Sequence, residues 1–427
     1  MASIERRSEN SYRITVSTGY DSKGKKLRKY KSVTLDPGLT ERQKEKELQR
    51  LAAEFERQVQ TGQFLDGNIT LSSFADRWLE EYAEKQLQPK TLDSYKLELN
   101  SKILPALGHI RLDKLQPVHI IEFLNNLLED GVRKDGKSGG YSDRTVKYQH
   151  QILSSILHTA VYWQVILSNP CERVKVPKNE NKTYNDVSKI KHFTEEQTIR
   201  FLELAQESKL MYQVIAILSI YTGLRLGELL ALTWDDIDTE AHTIDINKAY
   251  GHTPEKGMYL KATKNDGSNR LVSIPNNVTR LLSKYKVEQN IQRLKCGDLW
   301  DKAWDNNKLL FTQWNGVVMS YTTPFQWLKR TIRKYNKSIK NNHDIPDKEK
   351  EQLYLPEIPF HGLRHTSATL LIAEKVDVKT ISSRLGHTQT STTIDIYSHA
   401  LRTADTKAAS TLENLLDKSK GINSWQA

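Results

Sequence analysis

Residues 359–399 read PFHGLRHTSATLLIAEKVDVKTISSRLGHTQTSTTIDIYSH and combine short polar turns with helical patterns. His361 and Arg364 lie three residues apart at the start of an apolar run, so one helical face carries both near an anion-attracting N-terminus. The Leu-Gly-His triplet that ends at His387 is typical of a glycine-assisted helix stop. The next segment predicts a helix that carries Tyr397. Four side chains suited to phosphate chemistry therefore fall within one stretch.

A zinc site is the first alternative interpretation of this stretch. His361 and His365 have the spacing of a zinc-binding histidine pair, but the HExxH pattern needs a glutamate base between them. The intervening residues are Gly362, Leu363 and Arg364. Because single histidines and tyrosines usually serve packing, a chemical role requires a partner arginine elsewhere in the chain.

Residues 222–238, TGLRLGELLALTWDDID, supply such an arginine. Arg225 lies between a glycine that breaks a buried helix and the start of the next helix, which holds its backbone while leaving the guanidinium fork available. Three aspartates follow at positions 235, 236 and 238. A two-metal site needs ligands that converge from several elements, so we expect these aspartates to end the helix and lead into a strand.

A lysine-bearing hairpin is predicted next. Residues 259–263 and 270–274 have strand character around the turn KNDGSNR. Lys261 and Lys264 lie on the approach to that turn, where a long side chain can swing in and protonate a leaving oxygen. The sequence leaves the choice between the two lysines open.

Composition restricts the class of protein. The 427 residues are 37% hydrophobic and carry a formal net charge of +11 at pH 7, which predicts two or three globular domains and a polyanionic partner. Nucleic acid is the commonest such partner, and an acidic membrane surface is the rival. No apolar run is long enough for a membrane span and no signal-peptide core is present, so we expect a cytoplasmic protein. Cys171 and Cys296 lack metal or disulfide spacing.

The N-terminal region predicts a compact basic module. Residues 11–35 alternate as two strands, and a helical stripe with a capping box at Thr40 and Gln43 follows. A two-stranded ribbon fits the major groove of B-DNA. The candidate DNA-binding side chains of this module are Arg13, Lys25, Lys26, Arg28, Lys29 and Lys31.

The predicted fold class is multidomain. A small β-β-β-α or β-β-α module occupies residues 1–65, and an all-α bundle occupies residues 69–177, with Lys90, Arg144 and Lys147 as candidate DNA contacts. A polar, lysine-rich linker covers residues 178–192. A mostly α domain with a small antiparallel sheet covers residues 193–427.

The separated motifs TGLRLGE, a hairpin lysine, HGLRH, LGH and IYSH resemble, in this order, those of the tyrosine recombinase (phage integrase) family. The resemblance covers essentially the whole chain. The first module resembles an arm-type DNA-binding domain and the bundle a core-binding (SAM-like) domain. The layout is most similar to integrases of temperate phages and conjugative transposons of Gram-positive bacteria.

The resemblance implies a role for each site residue. Tyr397 would attack the scissile phosphodiester and form a 3′-phosphotyrosyl link, while Arg225 and Arg364 would hold the non-bridging oxygens. His361 would assist proton transfer at the tyrosine and His387 would hydrogen-bond the phosphate. Lys264, with Lys261 as competitor, would protonate the 5′ leaving oxygen. The resemblance implies no cofactor and no metal, because the two arginines stand where other phosphoryl-transfer enzymes use metal ions.

The resemblance also implies the partners. These are double-stranded DNA with core-type and arm-type attachment sites, a homotetramer on DNA in which a C-terminal helix near residues 403–416 packs onto a neighbour, and a directionality factor or host DNA-bending protein. We expect the protein in the bacterial nucleoid or a phage-infected host. Two other functions compete with integration and excision: a catalytically silent DNA-binding regulator and a type IB topoisomerase.

Overall fold

The computed structural model describes residues 2–20, 24–60, 69–178, 191–262, 269–304, 308–387 and 393–394. The chain divides into two compact units, Met1–Lys182 and Thr183–Ala427. Each unit has its own apolar cores. The finer division at residues 65 and 177 stays a prediction.

The first unit begins with a three-stranded antiparallel sheet covered by one helix. Strands β1 (Ser3–Arg6), β2 (Ser11–Tyr20) and β3 (Lys26–Thr34) are adjacent in sequence order, and helix α1 (Glu41–Gln60) follows. Alternation along β2 turns Ile14 and Val16 inward, where both pack with Phe55 of α1. The three-stranded version of the predicted module is therefore the one observed.

Residues 69–178, the other described part of the first unit, form an all-α bundle. Its helices are α2 (Leu71–Trp78), α3 (Glu84–Gln86), α4 (Pro89–Glu98), α5 (Leu104–Leu107), α6 (Pro117–Asn126) and α7 (Asp143–Tyr162), with π-helical turns at Leu79–Ala83 and Leu99–Ile103. Trp78 is fully buried, and its indole Nε1–H donates to Thr159 Oγ1 at 3.0 Å. This bond satisfies the polar atom of the largest core side chain.

The second unit starts with three consecutive helices, α8 (Glu195–Gln206), α9 (Leu210–Thr222) and α10 (Leu226–Ala231). The predicted capping box is present, since the Thr194 backbone N–H donates to Gln197 Oε1 at 3.1 Å and the Gln197 N–H donates back to Thr194 Oγ1 at 3.2 Å. Helix α9 is almost wholly apolar and lies in the core. It ends at Gly223 in the left-handed conformation, with φ +62°.

Two small sheets follow, and they correct the predicted hairpin. Strands β4 (Ile237–Asp238), β5 (Thr243–Ile246) and β8 (Arg270–Ser273) form one antiparallel sheet, while β6 (Lys248–Thr253) pairs with β7 (Gly257–Ala262). The prediction that the two lysine-flanking strands pair with each other is therefore wrong. A tight turn ending at Gly257, with φ +63°, pairs β7 with the strand before it, and β8 instead pairs with β5.

The last described elements are helical. They are α11 (Asn276–Cys296), α12 (Thr323–Asn341), α13 (Asp347–Leu353), α14 (His361–Ala373) and α15 (Val378–Leu385). Helix α14 packs against α9, and α15 packs against both α14 and β8. This packing joins the two motif-bearing segments. The predicted fold class is thus confirmed. Within the described residues, no helix is both long and apolar enough to cross a bilayer.

Candidate active site

Arg225 is held at the junction of α9 and α10. It is the residue immediately before α10, and its backbone N–H donates to Glu228 Oε2 at 3.0 Å. Its Nη1 donates to Glu228 Oε1 at 2.7 Å and its Nη2 to the Gly386 carbonyl at 3.1 Å. The side chain still has 40% of its surface exposed. The guanidinium is thus oriented from one side and accessible from the other.

Arg364 reaches the same junction from α14. It is only 2% exposed, and its Nη1 donates to the Gly223 carbonyl at 2.7 Å. His361 is the first residue of α14, one turn before Arg364, on the surface side. The helix start therefore presents a histidine above a buried arginine, as the three-residue spacing predicted.

His387 follows the left-handed stop of α15. Gly386 has φ +68°, and the His387 backbone N–H donates to the Ser382 carbonyl at 3.0 Å. The ring Nδ1 lies 2.8 Å from Thr393 Oγ1, and Thr393 is fully buried. When the threonine hydroxyl donates to Nδ1, the proton resides on Nε2, which can then donate to a phosphate oxygen. Thr393 was not recognised from the sequence, because only the folded chain places it against His387.

The electrostatic environment keeps the site histidines neutral at pH 7. Burial, followed by the charges of Arg364 and Arg225, lowers the pKa of His387 to about 4. Partial desolvation and the same two arginines lower the pKa of His361. A neutral His361 can accept a proton, and two arginine charges focused on one place favour an anion there.

His365 packs against His361 one turn further along α14. The ring centroids are 4.8 Å apart and the planes nearly perpendicular, at 87°. Burial, followed by His361 and Arg364, lowers the pKa of His365 to about 4. Across the parts of the chain that the structure describes, no group of three or more His, Cys, Asp or Glu side chains is arranged to hold a metal ion.

The aspartates after α10 have structural contacts. The Lys248 ammonium donates to Asp236 Oδ1 at 2.6 Å, and the Thr233 backbone N–H donates to Asp236 Oδ2 at 2.7 Å. Asp235 pairs with Lys308 at 3.2 Å. The interpretation of this turn as the end of a helix that leads into a strand agrees with these contacts.

Two of the six predicted catalytic residues, Lys264 and Tyr397, lie outside the described residues. Lys261, the alternative acid, is exposed near the end of β7. The structure brings the other four together from separate segments of the second unit: Arg225, His361, Arg364 and His387.

A buried ion pair beneath these residues was missed from the sequence. The Arg270 guanidinium Nη2 lies 2.8 Å from Glu228 Oε2, and both side chains are at most 5% exposed. Burial opposes ionisation of Glu228, but Arg270, followed by Arg225, holds its pKa below the usual range. Glu228 has a local sequence signal, since it lies three residues after Arg225 in a capping position. Arg270 has none.

The predicted DNA contacts of the first unit are distributed unevenly. In the sheet register, Lys29 lies opposite Val16 and Lys31 opposite Ile14, so these two lysines belong to the helix-covered face. The open face carries Arg13 and Arg28 instead; Arg13 lies 5.5 Å over the Tyr30 ring, on the same face. Lys25 directly precedes β3 and Lys26 is the first residue of that strand. Three bundle residues are exposed: Lys90, Arg144 and Lys147.

Comparisons with known proteins identify similar proteins over most of the chain. A family model for the phage integrase family matches residues 191–403, and a model for the phage integrase N-terminal SAM-like domain matches residues 70–128. The chain is 26% identical over 414 residues to a XerC-like tyrosine recombinase of Caldanaerobacter subterraneus subsp. tengcongensis, covering 95% of this chain and 96% of the relative. It is 27% identical over 419 residues to the ICEBs1 integrase of Bacillus subtilis, covering 97% and 100%.

Among solved structures, the Tn1549 transposon integrase in complex with transposon right end DNA is similar, with a TM-score of 0.59 and 20% identity. The match covers 80% of this chain and 100% of that chain. At this identity the similarity establishes the fold.

Proposed function

The chain belongs to the phage integrase family of tyrosine recombinases and is a site-specific recombinase that acts on DNA; we propose that it integrates and excises a mobile element through a 3′-phosphotyrosyl intermediate. One observation carries the proposal. Arg225, His361, Arg364 and His387 come from three distant segments and meet around one partly open, positively charged site. Such a site suits the charge of a phosphodiester under attack.

Each residue has a role in strand cleavage. The Tyr397 oxygen attacks phosphorus, a new P–O bond forms, and the bond to the 5′ oxygen breaks. Neutral His361 accepts the tyrosine proton, and Lys264 or Lys261 delivers a proton to the departing 5′ oxygen. Arg225 and Arg364 stabilise the charge that spreads over the non-bridging oxygens, and His387 donates a further hydrogen bond. The covalent link conserves the energy of the broken bond, so rejoining needs no high-energy cofactor.

We propose that the two units have different roles on DNA. We infer that the second unit cleaves core-type sites and that the first unit selects the DNA, with the open face of the N-terminal sheet on arm-type sites. Assembly as a homotetramer, and control by a directionality factor or a host DNA-bending protein, follow from the family resemblance. The silent regulator and the type IB topoisomerase are not favoured, because the similar proteins are named recombinases, integrases and transposases.

Covalent trapping on a nicked core site tests the nucleophile. We expect Tyr397→Phe to bind the site with unchanged affinity and to form no protein–DNA adduct, because phenylalanine lacks the attacking oxygen. Tyr221→Phe is the matched control, since Tyr221 is a partly exposed tyrosine at the end of α9, and this variant should form the adduct normally. An adduct that persists with Tyr397→Phe would show that another residue attacks.

A further inference from the structure

Arg270 is a buried arginine on β8 that none of the roles above uses. Its side chain is 5% exposed. Nη2 donates to Glu228 Oε2 at 2.8 Å, and Nε donates to the Arg384 carbonyl at 2.7 Å. One guanidinium therefore joins the carboxylate that holds Arg225 to the last turn of α15, which precedes His387.

The same two points are joined a second time by Arg225. Glu228 accepts Arg225 Nη1 through its other oxygen at 2.7 Å, and Arg225 Nη2 donates to the Gly386 carbonyl at 3.1 Å. A Cβ atom on Gly386 would lie 2.7 Å from Arg270 Nη1, so the turn backbone lies directly against that guanidinium. Two arginines thus share one carboxylate and one turn, and together they close a ring of contacts.

Arg384 links the same two elements in reverse, since here a side chain of α15 donates to the backbone of β8. Its Nη2 donates to the Ser273 carbonyl at 3.0 Å and to the Tyr221 carbonyl at 2.7 Å. Strand β8 is therefore tied to the end of α15 at two places, and α15 is tied to the end of α9. Since α9 leads directly into Arg225, displacement of β8 would be transmitted to both halves of the site.

We propose that Arg270 is a positioning residue for strand cleavage, which sets the placement of Arg225 relative to His387 by holding Glu228 and the turn at residues 384–386 together. The inference rests on the proposed function. A planar guanidinium can serve a carboxylate and a carbonyl at fixed geometry, whereas an ammonium acts as a point charge. Misplacement of a reactive group by about 1 Å can cost about 10²-fold in rate.

Single-turnover adduct formation on nicked core-site DNA, measured over a range of protein concentrations, separates binding from chemistry. Arg270→Lys retains the charge beside Glu228 but not the two-ended bridge, and Arg270→Gln removes the charge. We expect both to lower the rate at saturating protein by about tenfold or more, with the half-saturating concentration within about twofold of the parent. Arg280→Gln, which removes an exposed arginine on α11, is the control and should match the parent.

Circular dichroism melting identifies the variants that fold. If Arg270→Gln does not fold, the rate of Arg270→Lys alone tests the proposal. A parental saturated rate in folded Arg270→Lys would overturn the proposal, as would a loss confined to DNA affinity. Unfolding of both variants would make Arg270 a stabilising residue only and also overturn it. Absence of an adduct with the parent protein would instead overturn the proposed function, so the two failures are distinguishable.

Discussion

Replacement of Gly223 by alanine should destabilise the second unit more than its backbone conformation alone requires. Gly223 has φ +62°, and a left-handed alanine costs about 1–2 kcal/mol. An added Cβ would also lie 2.4 Å from Leu385 Cδ2, and such overpacking costs a further ~1–3 kcal/mol. The expected total is therefore about 2–5 kcal/mol. Because the Gly223 carbonyl accepts Arg364 Nη1, the same change should slow adduct formation.

Gly257→Ala is the matched control. Gly257 has φ +63° in the same unit, and no atom lies within 4 Å of the position that an added Cβ would take, so only the conformational cost of about 1–2 kcal/mol applies. Urea titration followed by hydrogen exchange of peptides from α9 and α14 measures the unfolding free energy of this unit separately from the first. Equal destabilisation by the two substitutions would refute the steric reasoning.

A double variant tests the contact itself. Leu385→Ala alone should destabilise by about 2–5 kcal/mol, because Leu385 is fully buried. In combination with Gly223→Ala, the total should fall short of the sum of the single effects by about 1–3 kcal/mol, since the clash is then absent. Strict additivity would mean that Leu385 is not the residue that excludes a side chain at position 223.

Three further outcomes are expected. The double variant Arg13→Ala, Arg28→Ala should bind the arm site more weakly and with a salt dependence reduced by roughly two phosphate contacts. Lys29→Ala with Lys31→Ala, on the helix-covered face, should lose less affinity, and equal losses for the two double variants in binding titrations at several salt concentrations would contradict the assignment of faces. Thr393→Val should slow adduct formation roughly fivefold to tenfold by removing the hydroxyl that contacts His387, whereas Thr393→Ser should retain the rate. Since the pKa of His365 falls from 6.5 to about 4 on folding, the unfolded chain takes up the proton first, so stability should decrease as pH drops through this window. His365→Gln should reduce that slope in urea midpoints measured against pH.

The element types were largely predictable, and strand pairing was not. Capping at Thr194 and the apolar run of α9 are local patterns, so the sequence identified both. The strands on either side of Lys264 were also recognised, but the sequence did not show their partners: β7 pairs with β6, and β8 pairs with β5. Likewise, the sequence indicated one basic surface made of six residues in the first module. The strand register instead places Lys29 and Lys31 on the helix-covered face of the sheet.

The sequence by itself determined the fold class, because helix starts and stops are local patterns. Its motifs around Arg225, Arg364 and His387 carry the resemblance that indicated the family and the residues proposed for catalysis. Tertiary structure decided what holds them. Arg270 and Thr393 carry no local motif, and each matters only because distant segments pack together and bury their polar atoms beside a site residue. Buried polar groups need partners, and which partners they find depends on three-dimensional packing rather than on spacing along the chain.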